Sequence, residues 1–373
     1  MQSTQQKAVW MAEAIAEARR AWGQTHPNPL VGAIIIESGR IVARGYHARA
    51  GEPHAEIMAL QNLGRPPAKD ATLYVTLEPC STAGKTGACT DALLQAGIQR
   101  LVVGAIDPNP QHAGRGIDIL RQAGVQIEQG VLAERCTDLN LMFNHWMTTH
   151  TPFFAAKVAT TLDGCVATQT GDSQWISGER ARADVMHWRR YFPAIAVGSG
   201  TVLADNPRLT SRIGTEVKSP IRFIFDRKLK TVSEPLPNVF VDEFAQNTIV
   251  IATPDAPAEK LAKLEERAIH VWTLSAQDER RYFSAFKQKC IEKGIGGVYF
   301  ETGSGLMRAL LQARAVDYLF HYQAPKLLAD AAAKRAFDGY AAPRLKDAIT
   351  LRDVIRTPFD NDLLTRGYVH YAT

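Results

Sequence analysis

The 373-residue sequence predicts an α/β protein built from two domains. A chain of this length exceeds what one hydrophobic core usually serves. Short apolar runs of strand length alternate with helical segments after an antiparallel start, as in an α/β sandwich. The stretch Thr148-Thr149-His150-Thr151-Pro152 then interrupts the pattern. The boundary is placed there, with residues 1–147 as one domain and 148–373 as the other.

Thr4 is the predicted N-cap of a helix running to about Trp22, with Val9, Ala12, Ile15 and Ala16 on its apolar face and Gly23 and Pro27 after its end. The prolines of His26-Pro27-Asn28-Pro29 hold the next stretch extended or turned. Leu30 to Ile36 has the apolar density of a buried strand, and Gly39-Arg40 turns the chain into a second strand, Ile41 to Tyr46. His54 opens a helix carrying Ile57, Met58 and Leu60. Thr72 to Leu77 is a third strand, with Glu78-Pro79-Cys80 at its end. Cys89 begins a helix through Ala96 that Gly97 stops. Leu101 to Ala105 is a fourth strand, and a helix before Gly124 leads to a fifth around Val125 to Ile127. A single helix from about Ala133 to Trp146, with Leu139, Met142 and Phe143 on one face, completes the first domain.

Within this frame His54, Cys80 and Cys89 have the residue types of a catalytic zinc site, which uses three protein ligands and keeps one position open. Glu56 is placed to be the carboxylate that moves protons. The nucleobase-deaminase pattern is H-x-E followed by P-C-x-x-C. Here His54-Ala55-Glu56 is followed by Pro79-Cys80, and eight residues separate Cys80 from Cys89. His54 and Cys89 fall near helix starts, where backbone N–H groups create positive potential that favours a thiolate. A purely structural zinc more often has a fourth Cys or His, and none suggests itself locally. One zinc per chain is expected, with Cys136, Cys165 and Cys290 outside the site.

In the second domain Phe153 to Ala159 is a strong strand. Ser173-Gln174-Trp175-Ile176-Ser177 precedes a helix ending near Tyr191, and Ala194 to Val197, Ile221 to Phe225, Thr248 to Ala252 and Gly297 to Phe300 are further strands. Helices lie around Ala258 to Arg267 and Glu279 to Lys293. The last strand runs into Glu301-Thr302-Gly303-Ser304-Gly305 before a helix starting at Leu306. Glycines at such a turn let backbone N–H groups approach a phosphate closely. The Rossmann pattern is absent, since Arg308 stands where its third glycine belongs, and a tight turn with no ligand reads the same way.

A formal charge of +5 and a pI near 8.9 suit a small anionic substrate. No dense Lys/Arg block favours nucleic acid, and the apolar runs are far below membrane-spanning length. Five scattered cysteines make no disulfide framework, and the N-terminus lacks the pattern of a signal peptide. The expectation is a cytoplasmic enzyme acting on a small molecule, without nucleic-acid or membrane partners.

His26-Pro27-Asn28-Pro29-Leu30-Val31-Gly32, Gly45-Tyr46-His47, His54-Ala55-Glu56 and Glu78-Pro79-Cys80 through Cys89-Thr90-Asp91-Ala92-Leu93 resemble the deaminase half of the bifunctional riboflavin-biosynthesis deaminase/reductase family. The longer gap between the cysteines is a feature of that family. Lys157 through Gly164, Ser173-Gln174-Trp175, Thr201 through Leu209 and Glu301 through Leu310 resemble its NADPH-dependent reductase half. The resemblance implies a cytidine-deaminase-like α/β/α sandwich followed by a dihydrofolate-reductase-like domain, in a homo-oligomer, a dimer. It implies that Asn28, His47 and Lys85 contact the deaminase substrate. It assigns NADP to Ala159, Trp175, Thr201, Asp205 and the turn Gly303, Ser304, Gly305, Leu306, Met307, Arg308 and Ala309. It assigns the ribosyl phosphate substrate to Ser173, Arg189, Leu209, Arg212 and Glu301, with Lys157 near the sugar. Arginines suit a phosphate because a guanidinium pairs it bidentately.

The implied reactions are hydrolytic deamination of 2,5-diamino-6-ribosylamino-4(3H)-pyrimidinone 5′-phosphate and reduction of its ribosyl group to ribityl. The rival reading is a nucleic-acid base deaminase with an accessory C-terminal binding domain. That class needs a basic groove and aromatics for a flipped base, whereas the second half reads as a cofactor domain. A non-enzymatic zinc scaffold is opposed by the presence of Glu56 and the missing fourth ligand.

Overall fold

The computed structural model describes residues 3–82, 87–275 and 277–372. The chain divides into two compact units, Met1–Thr151 and Pro152–Thr373.

The first unit contains α1 (Thr4–Arg19), β1 (Gly32–Glu37), β2 (Arg40–Tyr46), α2 (Ala55–Leu63), β3 (Thr72–Leu77), α3 (Cys89–Gln95), β4 (Arg100–Ala105), α4 (Arg115–Gln122), β5 (Gln126–Gln129), α5 (Ala133–Asp138) and α6 (Leu141–Thr149). The five strands form one sheet in the order β2-β1-β3-β4-β5. β1 runs antiparallel to β2 and β3, while β3, β4 and β5 are parallel. Every residue of β1 and β3 is buried, the environment of a strand covered on both faces. Two glycines let helices lie close on this sheet. A Cβ at Gly32 would stand 2.1 Å from the Ala14 carbonyl on α1, and one at Gly45 would stand 2.3 Å from the Ala55 carbonyl on α2. The second approach sets the start of α2, and hence His54 and Glu56, against the sheet.

Two expectations need correction here. The cap of α1 is Ser3 rather than Thr4, because the Ser3 side chain accepts the Gln6 N–H. The helix expected from Ala133 to Trp146 is two helices, with Asn140 at the break in a non-helical conformation (φ −123°, ψ 37°). The Asn140 side chain bonds to the backbone of a distant loop, described below.

The second unit contains β6 (Phe153–Thr160), β7 (Cys165–Ala167), α7 (Glu179–Tyr191), β8 (Ala194–Gly198), α8 (Ser199–Asp205), β9 (Ser211–Ile213), β10 (Glu216–Lys218), β11 (Ile221–Phe225), β12 (Thr248–Ala252), α9 (Ala258–Glu266), β13 (His270–Thr273), α10 (Glu279–Glu292), β14 (Gly297–Glu301), α11 (Ser304–Ala313), β15 (Tyr318–Gln323), β16 (Lys334–Arg335), β17 (Thr350–Phe359) and β18 (Asp362–His370). Its main sheet has nine strands in the order β13-β12-β11-β8-β14-β6-β15-β18-β17. The run from β13 to β15 is parallel, and the hairpin of β17 and β18 joins antiparallel. Strands β13, β15, β17 and β18 have no counterpart in the sequence prediction. α11 starts at Ser304, two residues before the expected Leu306, because Gly303 already has the extended conformation of an N-cap.

Phe154, Phe223, Phe286, Phe300 and Met307 form one buried cluster, and Ile195, Val197, Ile224, Val250 and Leu264 form another. The fully buried Arg222 is held by both Asp242 oxygens at 2.8 and 2.9 Å, by Thr248 and by the carbonyls of Arg208 and Val239. Strands β8, β14 and β6 are neighbours, so their C-terminal ends lie together, the end of a parallel sheet where α/β proteins bind ligands.

Candidate active sites

In the first unit His54 is the residue before α2, Cys80 follows β3, and Cys89 opens α3. Their ligand atoms all lie within 4.8 Å of one another. His54 Nδ1 is 3.2 Å from Cys89 Sγ and 3.5 Å from Cys80 Sγ. Donors bound to one tetrahedral zinc, at ~2.0–2.3 Å each, stand roughly 3.5 Å apart. The donor set and its spacing therefore fit zinc. The Cys89 thiol, the His54 ring and the Cys89 backbone N–H hold the Cys80 thiol well below its ordinary range. Glu56 lies in the first turn of α2, buried, and desolvation pushes its carboxyl up to about 7.

His47 packs edge-on against His54, with ring centroids 5.3 Å apart. Its Nδ1 is 3.1 Å from the Pro53 carbonyl, which can only accept, so Nδ1 carries the proton. Nε2 is then the acceptor for the Asn28 amide at 3.1 Å. Burial lowers the His47 pKa, in keeping with a neutral ring. The structure thus brings Asn28 and His47 together beside His54, while Lys85 lies outside the described residues.

Two further residues shape this site without a motif of their own. Glu78, buried directly before Pro79-Cys80, accepts backbone N–H groups from Asp107, Gly114, Gly116 and Ile117 at 2.9 to 3.4 Å. It ties the Cys80 stretch to the loop after β4 and to the start of α4. Asn140 is the second, and it bonds to both backbone groups of Leu30. A carboxylate beside Pro-Cys and an Asn inside a helical pattern are the only sequence signals for either.

In the second unit Lys157 on β6 pairs in register with Glu301 on β14. Arg189 on α7 donates to both Glu301 oxygens, Nε at 2.6 Å and Nη2 at 2.8 Å, and its Nη1 donates to the Thr210 carbonyl at 2.9 Å. Burial alone raises the Glu301 pKa, but Arg189 outweighs it and leaves the carboxyl below its ordinary value. Burial lowers the pKa of Lys157. Arg212, on β9, donates to the Thr210 hydroxyl at 2.8 Å. Burial and the neighbouring Arg189 and Arg208 lower its pKa. Leu209 is buried on the same turn with φ 55°.

The residues assigned to NADP divide in two. Thr201 on α8 and Gly303 at the start of α11 adjoin, since a Cβ at Gly303 would stand 3.5 Å from the Thr201 hydroxyl. The Met307 side chain is in the core, with Leu306 beside it, and Arg308 pairs with Asp338 at 2.5 and 2.6 Å, leaving Gly303, Ser304 and Gly305 to offer backbone N–H groups. Ala159 stands on β6 opposite Tyr322. Trp175 is exposed, with Arg182 over its ring at 4.6 Å and Lys326 donating to its carbonyl. Among the described residues, neither Asp205, assigned to NADP, nor Ser173, assigned to the substrate, makes a hydrogen bond to any of these residues.

The fold and the first site define a zinc-binding deaminase of the cytidine deaminase class, joined in one chain to a second α/β enzyme domain. Residues 4–105 match the cytidine and deoxycytidylate deaminase zinc-binding region, and residues 152–365 match the RibD C-terminal domain. The chain is 41% identical over 338 residues to the riboflavin biosynthesis protein RibD of Bacillus amyloliquefaciens, covering 91% of this chain and 90% of that one. It is 39% identical over 330 residues to RibD of Escherichia coli, covering 87% and 89%. Among solved structures it resembles a diaminohydroxyphosphoribosylaminopyrimidine deaminase/5-amino-6-(5-phosphoribosylamino)uracil reductase from Thermotoga maritima (32% identity, TM-score 0.77, 99% of each chain). It also resembles RibD of Acinetobacter baumannii (32%, TM-score 0.74, 99% and 100%). The chain belongs to the RibD family, the bifunctional deaminase/reductases of riboflavin biosynthesis. Among the described residues no helix is long and apolar enough to cross a membrane.

Proposed function

We propose that the first unit deaminates 2,5-diamino-6-ribosylamino-4(3H)-pyrimidinone 5′-phosphate and that the second reduces the ribosyl group of the product to ribityl. The observation that carries this reading is one chain with two charged clusters: His54, Cys80 and Cys89 with buried Glu56 in the first unit, and in the second Lys157 on β6 and Glu301 on β14 with Arg189 of α7. His54, Cys80 and Cys89 would hold zinc, whose contribution when bound would be to make a water acidic enough to attack. Glu56 takes up a proton at its carboxylate and returns it to the departing amine. Its place in the first turn of α2, two residues after His54, keeps the carboxylate within the site. Asn28 and His47 hold the pyrimidine, with the neutral His47 ring fixing the Asn28 amide.

In the second unit Gly303, Ser304 and Gly305 present N–H groups to the NADPH phosphates at the start of α11, beside Thr201. Lys157 and Glu301 face the sugar. Arg212 takes the substrate phosphate, because Arg189 already has its fork filled by Glu301. Five free cysteines suit a reducing, cytoplasmic setting.

Incubating the protein with the diaminopyrimidine phosphate tests the reading by product mass. Without NADPH the product should show an amino group replaced by oxygen. With NADPH it should gain two further hydrogens. Unchanged substrate in both reactions would overturn the assignment.

A further inference from the structure

The loop that carries Asn28 reaches the site before it joins the sheet. β1 begins at Gly32, so the buried Leu30 has no strand partner for its N–H and C=O, and buried backbone groups need one. Asn140 supplies both bonds. Its Oδ1 accepts the Leu30 N–H at 2.7 Å, and its Nδ2 donates to the Leu30 carbonyl at 3.0 Å, as a neighbouring strand would. Asn140 is itself buried and anchored between α5 and α6, its N–H on the Thr137 carbonyl and its own carbonyl on Asn144. Leu30 is flanked by site contacts. Two residues earlier, Asn28 bonds to the His47 ring, and one residue later, the Val31 carbonyl accepts the His47 backbone N–H at 3.0 Å.

We propose that Asn140 is a positioning residue for deamination, setting Asn28 through the backbone of Leu30. The inference rests on the reading that Asn28 contacts the deaminase substrate. Asn is the side chain this place requires, since it offers one acceptor and one donor at the spacing of a peptide group. Aspartate keeps the acceptor but turns a second oxygen toward the Leu30 carbonyl. The zinc ligands and Glu56 stand on other segments, so the fault would fall on substrate binding before it reached the metal.

The test is a double-mutant cycle on the full chain, with steady-state deamination, zinc content and NADPH-dependent reduction measured for Asn28→Ala, Asn140→Asp and the two combined. Asn140→Asp should keep zinc and reduction, raise KM for deamination roughly 10- to 100-fold, and lower kcat by a smaller factor. The double variant should match Asn28→Ala, because the second change acts only through the first. Should Asn140→Asp fail to fold, Asn140→Ser, which keeps one hydrogen-bonding group, should raise KM in the same direction by less. Multiplying effects in the double variant, or a lowered Tm with KM unchanged, would reduce Asn140 to a structural role and overturn the inference. An unchanged KM in Asn28→Ala would instead overturn the reading of Asn28, and with it the route from Asn140.

Discussion

The guanidinium of Arg189 closes on the carboxylate of Glu301 with two parallel bonds of 2.6 and 2.8 Å, and both side chains are largely buried. The third arm of Arg189 holds the Thr210 carbonyl, on the turn that leads into Arg212. Glu301 is thereby kept charged opposite Lys157 at the end of β14. Removing one member of a buried ion pair strands the other, at a cost of about 3–5 kcal/mol. Glu301→Gln should therefore abolish NADPH-dependent reduction and lower the Tm of the second unit by several degrees, while ammonia release continues. NADPH oxidation, ammonia assay and thermal melting on one preparation check this, and intact reduction would contradict it.

Among the described residues Arg212 makes one hydrogen bond, to the Thr210 hydroxyl, and its side chain is exposed. Arg212→Ala should weaken the reductase substrate by about 1.5–3 kcal/mol, the usual worth of a hydrogen bond to a charged group. KM for reduction should rise with NADPH affinity unchanged. Measuring both constants on the variant decides it, and a loss confined to NADPH would move Arg212 to the cofactor.

Glu56 lies two residues after His54 and outside the group formed by His54, Cys80 and Cys89. Glu56→Gln should keep zinc and fold but slow ammonia release by ~10²–10⁴-fold, the typical worth of a placed proton-transfer group. Zinc by mass spectrometry and ammonia release together test the point. Deamination near the wild-type rate would remove Glu56 from the chemistry.

Cys136 and Cys290 are buried thiols whose pKa burial raises, to about 12 for Cys136. Cys165 is buried among the strands of the second unit. Replacing these three together should leave one zinc per chain. Cys89→Ser alone should lose it. Zinc lost from the triple variant would mean that other thiols hold the metal.

What was legible in the sequence follows from how local each signal is. Thr72 to Leu77 and Ile221 to Phe225 are found with the predicted bounds, because short apolar runs closed by Glu-Pro or by charged turns admit little else. His54-Ala55-Glu56 was readable for the same reason, since one helix start places both residues. The C-terminal hairpin was not. β17 exposes Arg352, Asp353 and Arg356 and belongs to a sheet edge, so its apolar alternation is weak. The local pattern runs one helix through Asn140, because the partner that breaks it, Leu30, is 110 residues away. Nor could the sequence show that Arg189 is spent on Glu301, a pairing made across 112 residues.

The central claim is that two chemistries run on separate residues of one chain, with zinc serving only the first. Its most direct test is to strip the metal with a chelator and follow, on the same preparation, ammonia release from the diaminopyrimidine phosphate and NADPH oxidation with an already deaminated substrate. Ammonia release should stop, return on adding zinc, and leave NADPH oxidation unchanged throughout. Loss of both activities, with circular dichroism showing an intact fold, would contradict the account.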